Sequence, residues 1–102
     1  METKEWRRLI KWLRATFPLS FPLTVKRAPS KRNHGVTSFD GNTIHIRVDS
    51  TQDHAGQIDT ILHEYAHALA IDDAYTHKDN WGRLYAAIYT AMEQHETLPS
   101  TT

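Results

Sequence analysis

Cysteine is absent from this chain of 102 residues. Its absence excludes disulfide bonds, a thiol nucleophile, and every zinc finger or zinc ribbon that uses cysteine ligands. Any bound metal ion must therefore be held by histidine, aspartate or glutamate side chains. The chain contains seven histidines, so the ligands for such an ion are present.

Long apolar runs are also missing, and no stretch is long and apolar enough to span a bilayer. The first residues, METKEWRRLIKWLRATF, carry charges throughout and do not resemble a secretory signal. We therefore expect a cytoplasmic protein without a membrane partner. The length suits one domain, residues 1–102, in which residues 97–102 are expected to fray.

Acidic residues are scarce in the N-terminal third, although the net charge of the whole chain is zero. Residues 1–35 hold nine basic and two acidic residues, whereas residues 36–102 hold three basic and ten acidic ones. A charge asymmetry of this kind can indicate a surface that contacts a polyanion. Two other interpretations stay open: a solvated face, and two halves that attract each other across the fold.

Hydrophobic periodicity predicts an α+β fold with the order helix, three strands, helix, helix. Asp40-Gly41 is a hairpin signal, Asp53 or a neighbour is a candidate N-cap for the second helix, and Thr76 or Asp79 for the third. The strands are expected to form a three-stranded antiparallel meander. The predicted elements are a helix over 4–17, strands over 22–28, 36–39 and 42–49, a helix over 54–71, and a last helix with an apolar stripe from 81 to 92.

The segment LHEYAHAL, residues 62–69, lies within the second predicted helix. His63 and His67 are one turn apart on a face that is not the apolar stripe, so both imidazoles can reach one ion. Glu64 lies beside them, on the side opposite the stripe, close enough to hold a water molecule. Zinc acidifies bound water and a nearby carboxylate accepts the proton, which is the chemistry of an HExxH site. A catalytic zinc has three protein ligands, so the pattern requires a third ligand downstream. The alternative is an ordinary helix with two histidines.

A family resemblance is carried by ILHEYAHAL and THKDNWGRLY. Together these segments resemble the core of the SprT-like zinc metallopeptidases, the group that includes the Spartan DNA–protein crosslink proteases. They are also similar to the small zincins called minigluzincins. The resemblance covers roughly residues 36–90 and implies a minimal zincin-like domain, with an HExxH active-site helix between the sheet and a C-terminal helix.

The same resemblance implies the site residues. Zn2+ would be bound by His63, His67 and His77, with Glu64 as the general base. The strand over 42–49 would be the edge that pairs with an extended polypeptide substrate, and the basic N-terminal half would contact DNA.

Other candidates for the third ligand remain. Glu93, on the last helix, would give the gluzincin arrangement. Asp72 and Asp73 are nearer in sequence, but equally suited to a turn or a cap.

Several further residues are predicted to support such a site. Asp59 and Asp73 are candidates for hydrogen bonds to the ligand histidines, and Tyr75 for a bond to the developing oxyanion. Trp81 and Tyr85 are expected to hold the last helix against the active-site helix.

The remaining histidines are expected to be outside the site. His34, His54 and His95 are expected to be exposed to solvent. His45, on the polar face of its strand, is expected to have a structural role, with a place in the cleft as the alternative.

The sequence thus predicts a zinc metalloendopeptidase of the HExxH type. Two alternatives from other classes remain: a zinc-bound interaction module without activity, and a metal-free domain that binds DNA or protein through its basic half.

Overall fold

The protein is described by a computed structural model that covers residues 1–72 and 81–97, with side chains described as far as His95. The α+β class and the order of the elements are confirmed. The last helix is described from residue 81 onward, so its proposed caps, Thr76 and Asp79, lie outside the described residues. Of the tail 97–102 that was expected to fray, Thr97 is the last residue of the helix, and residues 98–102 lie outside the described residues. The elements are α1 (Thr3–Thr16), β1 (Leu23–Ala28), β2 (Gly35–Phe39), β3 (Ile44–Asp49), α2 (His54–Ile71) and α3 (Trp81–Thr97).

The sheet differs from the predicted antiparallel meander. Its strand order is β1-β3-β2, with β1 parallel to β3 and β2 antiparallel to β3, so the sheet is mixed. The sequence predicts that residues 29–34 form a turn between two neighbouring strands. In the structure they connect β1 to β2, which are not neighbours, because β3 lies between them. The central strand is β3, whose apolar residues Ile44, Ile46 and Val48 are all buried.

This strand order also corrects the expected substrate edge. The strand over 42–49 is central and pairs on both sides, so its backbone groups are already bonded within the sheet. Within the described residues, β1 and β2 are the outer strands of the sheet.

Helix α2 lies at the centre of the fold, between the sheet and α3. Its buried apolar residues, among them Ile61, Leu62 and Leu69, belong to the same core cluster as the inward side chains of β3. The hydroxyl of Tyr65 donates to the carbonyl of Phe17 at 2.7 Å and ties the end of α1 to α2. An apolar stripe on α2 alone would predict one buried face, but α2 is covered from two sides.

Two local predictions are confirmed. Asp53 is the N-cap of α2, and its carboxylate accepts from the backbone N–H of Gly56 at 2.7 Å. In the β2–β3 hairpin, Gly41 has φ of +92°, which favours glycine, and Asp40 accepts from the N–H groups of Asn42 and Thr43. No helix in the described part of the chain combines the length and the apolar character needed to cross a bilayer.

Candidate metal centre

His63 and His67 lie side by side on α2, as their spacing predicts. Their ring centroids are 5.0 Å apart, with an angle of 67° between the ring planes. Two imidazoles that share a tetrahedral zinc at Zn–N distances of about 2.0–2.1 Å have ring centres roughly 5 Å apart. The separation of the two rings is compatible with a shared zinc ion. Burial lowers the pKa of His67, which favours the neutral form that binds metals.

Glu64 is turned toward the sheet and not into solvent. The sequence places it opposite the apolar stripe, yet only 7% of its surface is exposed, because β2 covers that side of α2. The hydroxyl of Thr37 lies 2.8 Å from Oε1 of Glu64 and 3.0 Å from its backbone carbonyl. Thr37 therefore fixes the carboxylate next to the edge strand.

A cleft of about 340 Å³ opens beside this carboxylate. Both Glu64 and His63 line it, so a carboxylate and an imidazole face the same space. The other lining residues come from the N-terminal half of α2 and from the connections that precede it and β2: His34, Gln52, Gly56, Asp59 and Thr60.

Gly35 allows β2 to lie this close to α2. A Cβ atom at this position would lie 2.5 Å from Cγ2 of Thr60 and 2.9 Å from Cγ of Glu64. Neither Gly35 nor Thr37 was predicted from the sequence to belong to the site. The signal that could have found them is the alternation along β2, which puts residues 35, 37 and 39 on one face.

We expect Gly35→Ala to lower the free energy of unfolding by about 1–3 kcal/mol, because the added methyl group overpacks the β2–α2 contact. Chemical denaturation followed by circular dichroism measures the change. The matched control is Gly82→Ala, where a Cβ would meet nothing within 4 Å. That variant should be unchanged or more stable by up to about 1 kcal/mol. Equal effects of the two substitutions would contradict the close contact.

An aromatic layer from α3 covers the histidine pair. Trp81 stacks on His67 at 5.0 Å and on Tyr85 at 5.2 Å, and it packs edge-on against His63 at 4.7 Å. The prediction that Trp81 and Tyr85 hold the last helix against α2 is confirmed. The indole N–H of Trp81 is buried and has no hydrogen-bond partner in the described part of the chain. A buried donor of this kind calls for an acceptor from outside the described residues.

Asp59 lies one turn before His63 and accepts hydrogen bonds from the hydroxyls of Tyr89 and Tyr85, the latter at 2.7 Å. These bonds, that of Tyr89 first, hold the pKa of Asp59 below its usual range. Burial and the bond to Asp59 raise the pKa of Tyr85. Both bonds use Oδ1, and the carboxylate anchors α3 to α2. Its predicted bond to a ligand histidine stays a prediction, and Asp73 and Tyr75 lie outside the described residues.

None of the described residues that contact the histidine pair is a predicted third ligand. His77 lies outside the described residues, and within 1–72 and 81–95 no three histidine or acidic residues converge on one point. Helix α3 runs antiparallel to α2: Trp81 at its start contacts His67, and Tyr89 further along contacts Asp59, which is closer to the N-terminus of α2.

Two other candidates for the third ligand, Glu93 and Asp72, are among the described residues, and neither joins the histidine pair in a group that could hold a metal ion. Glu93 follows Tyr85 by about two turns, roughly 12 Å, in the direction that leads away from the histidine pair. Asp72 is buried and accepts from the backbone N–H and the hydroxyl of Ser20.

The remaining histidines are placed as expected. His34, His54 and His95 are exposed, although His34 also lines the cleft beside Glu64. His45 has a structural role on the outer face of the sheet, bonded to Thr24 at 2.7 Å and Asp40 at 3.0 Å. The bond to His45 and two backbone N–H groups lower the pKa of Asp40 to about 2.

No protein-family model matches this chain, and neither a curated protein nor a solved structure shows significant similarity to it.

Proposed function

We propose that the protein is a zinc-dependent metallopeptidase that hydrolyses an extended polypeptide. The observation that carries the proposal is the arrangement on α2: two imidazoles 5.0 Å apart and, between them in sequence, a buried carboxylate beside a free sheet edge. The two histidines and the glutamate each have a function in the HExxH mechanism, and all three side chains belong to α2.

His63 and His67 would hold the zinc ion, together with His77. The donor set suits the ion, since imidazole nitrogen is a preferred zinc ligand. His77 precedes Trp81 by four residues in the sequence, and Trp81 stacks on His67. This closeness in sequence to a residue that contacts the pair supports His77 as the third ligand.

The substrate would pair with β2. The hydrogen bonds from Asp49 to His34 and from Asp40 to Thr43 fix the register, in which even-numbered residues of β2 bond to β3. Backbone groups alternate between the two sides of an antiparallel strand, so those of residues 35, 37 and 39 point to the open edge. Thr37, the middle one, is the residue that contacts Glu64.

The amino-acid composition of the two outer strands favours β2 over β1 as the strand that pairs with the substrate. The sequence of β1, LTVKRA, carries two positive charges, which is how proteins protect an edge against unwanted pairing. The sequence of β2, GVTSF, carries none. An uncharged edge with free backbone groups is suited to the addition of an extended peptide.

The chemistry follows from this placement. Bound at the histidines, zinc supplies positive charge that acidifies water and polarises a peptide carbonyl. Glu64 accepts a proton from a water molecule in the cleft, and the water oxygen bonds to the carbonyl carbon. As the C–N bond breaks, Glu64 gives this proton to the nitrogen of the leaving amine. Thr37 keeps the carboxylate in position through both transfers.

The experiment that tests this proposal is digestion of an unfolded protein, with the fragments identified by mass spectrometry. We expect cleavage by the zinc-loaded protein, its loss on chelation, and its recovery when zinc is added back. Cleavage that survives complete removal of metal would contradict the proposal. A protein that binds zinc but cuts no sequence in a complex mixture of unfolded proteins would be an interaction module instead.

A contact with DNA is the finer part of the proposal. Lys4, Arg7, Lys11 and Arg14 follow one another on α1 at intervals of three or four residues and form a basic stripe. Arg7, Lys11 and Arg14 also line a groove of about 680 Å³ between α1 and β1. In the part of the chain that the structure describes, no basic side chain of α1 pairs with a carboxylate. We propose that this stripe contacts phosphates and that the protein acts in the cytoplasm on DNA-associated proteins.

We expect a double-stranded 20-mer DNA to bind in a salt-dependent manner, with the logarithm of the affinity falling by about 0.9 per phosphate contact for each logarithmic unit of salt. The double variant Lys11→Glu, Arg14→Glu should weaken binding by about ten-fold or more, as measured by fluorescence anisotropy. The control is Arg83→Glu on α3, which should bind as the wild type does. Binding that does not depend on salt or on these residues would show that the basic stripe does not contact the DNA.

A further inference from the structure

Two large apolar side chains are exposed within the described residues, and both belong to β2. Val36 is 46% exposed and Phe39 is 38% exposed. Single exposed apolar residues are common on protein surfaces, but here both lie on the one uncharged edge of the sheet. The two side chains point to opposite faces, because their positions differ by an odd number of residues.

Phe39 is on the face that carries the candidate site. It has the same parity as Thr37, whose hydroxyl contacts Glu64, and lies about 6.8 Å further along the strand. Its ring packs against Phe21, with centroids 4.7 Å apart and an angle of 57° between the planes. Phe21 comes from the segment before β1, so the pair joins the two outer strands at the end of the sheet where β2 finishes.

We propose that Phe21 and Phe39 form a subsite for one apolar side chain of an extended peptide that pairs with β2. In antiparallel pairing, residues directly opposite each other place their side chains on the same face. The peptide residue opposite Thr37 then lies beside Glu64, and the residue opposite Phe39 lies over the two rings. The inference rests on the proposed function, because the peptide is the same substrate.

The direction of β2 fixes the position of the apolar residue relative to the cut. Strand β2 runs from Gly35 past Thr37 to Phe39, so an antiparallel peptide runs from Phe39 toward Thr37. The residue over Phe39 is therefore two positions to the N-terminal side of the residue opposite Thr37. The substrate class is an extended polypeptide with leucine, phenylalanine or a similar side chain at a constant offset on the N-terminal side of the scissile bond.

The first test is binding, which does not require activity. The probes are two fluorescein-labelled ten-residue peptides of serine and threonine that differ only in a central leucine or asparagine, added to the full chain carrying Glu64→Gln. Burial of one leucine side chain corresponds to roughly ten- to a hundred-fold in affinity, so the leucine peptide should bind at least about ten times more tightly. In the Phe39→Ala background the ratio should fall below about three-fold.

Two further variants control this result. Val36→Ala removes an exposed apolar side chain from the other face of the same strand, and the preference for leucine should persist. Phe39→Leu keeps an apolar surface against Phe21 and should keep most of the preference. Equal binding of the two peptides, or equal loss in the Val36→Ala and Phe39→Ala backgrounds, would overturn the subsite.

The second test is cleavage, and it separates the subsite from the proposed function. Cut sites of the wild type in a mixture of unfolded proteins should carry an apolar residue at one constant offset on the N-terminal side, and Phe39→Ala should erase that preference. Cleavage without such a preference would overturn the subsite and leave the peptidase standing. No cleavage, together with binding that prefers leucine and depends on Phe39, would keep the subsite and overturn the peptidase.

Discussion

We expect Glu64→Gln to reduce peptide hydrolysis by about 10²–10⁴-fold, the range that a general base contributes. Glutamine has nearly the shape of glutamate and its amide oxygen can still accept from Thr37, whose hydroxyl lies 2.8 Å from Oε1. It cannot accept the proton of the attacking water. The initial rate of peptide cleavage measures the effect, and zinc content and thermal unfolding show whether the site and the fold are kept.

The matched control for this change is Glu93→Gln on α3, an exposed glutamate on the helix that carries Trp81. It removes the same charge from the chain and should leave the rate of cleavage unchanged. A Glu64→Gln protein that binds zinc and cleaves as fast as the wild type would show that Glu64 is not the base.

Zinc stoichiometry by elemental analysis gives the second large effect. The wild type should hold about one zinc per chain after reconstitution and gel filtration, because a catalytic site has three protein ligands and one open position. His63→Ala, His67→Ala and His77→Ala should each reduce the content to near zero. His45→Ala and Glu93→Ala should leave it unchanged, since His45 lies on the outer face of the sheet and Glu93 about two turns away from the pair.

The set of variants that lose zinc distinguishes the possible metal sites. Loss in Glu93→Ala but not in His77→Ala would assign the gluzincin arrangement and require α3 to move relative to α2. A wild type that takes up no zinc would make His63 and His67 ordinary helix residues under an aromatic layer, and the proposed function would be wrong.

Features that depend on local sequence could be predicted. The bounds of α2, its cap at Asp53 and the Asp40-Gly41 hairpin follow from periodicity and turn chemistry, which involve residues close in the chain. The pairing of His63 with His67 follows from the helical repeat alone. The contact of Trp81 and Tyr85 with α2 was predicted because an aromatic stripe must be buried against something.

Features that depend on the order of strands could not be predicted. The sequence of a strand does not determine which strands lie beside it. Strand β3 was therefore expected at the edge of the sheet, whereas it is the central strand. The same lack of information hid the burial of Glu64, which depends on β2 passing over that side of α2. The helical wheel treats a helix as having one covered face, and α2 has two. The role of His77 stays a prediction because it lies outside the described residues.

The position of β3 between its two partners has a consequence for the order in which the chain folds. In the β2–β3 hairpin, Phe39 and Ile44 are five residues apart, whereas every β1–β3 pair joins residues 21 apart. Closing the shorter loop costs less entropy, so the hairpin should form first and β1 should dock onto it later. Substitutions in the hairpin would then slow refolding, and substitutions in β1 would mainly accelerate unfolding. The strand that carries Thr37 would thus belong to the earliest part of the sheet.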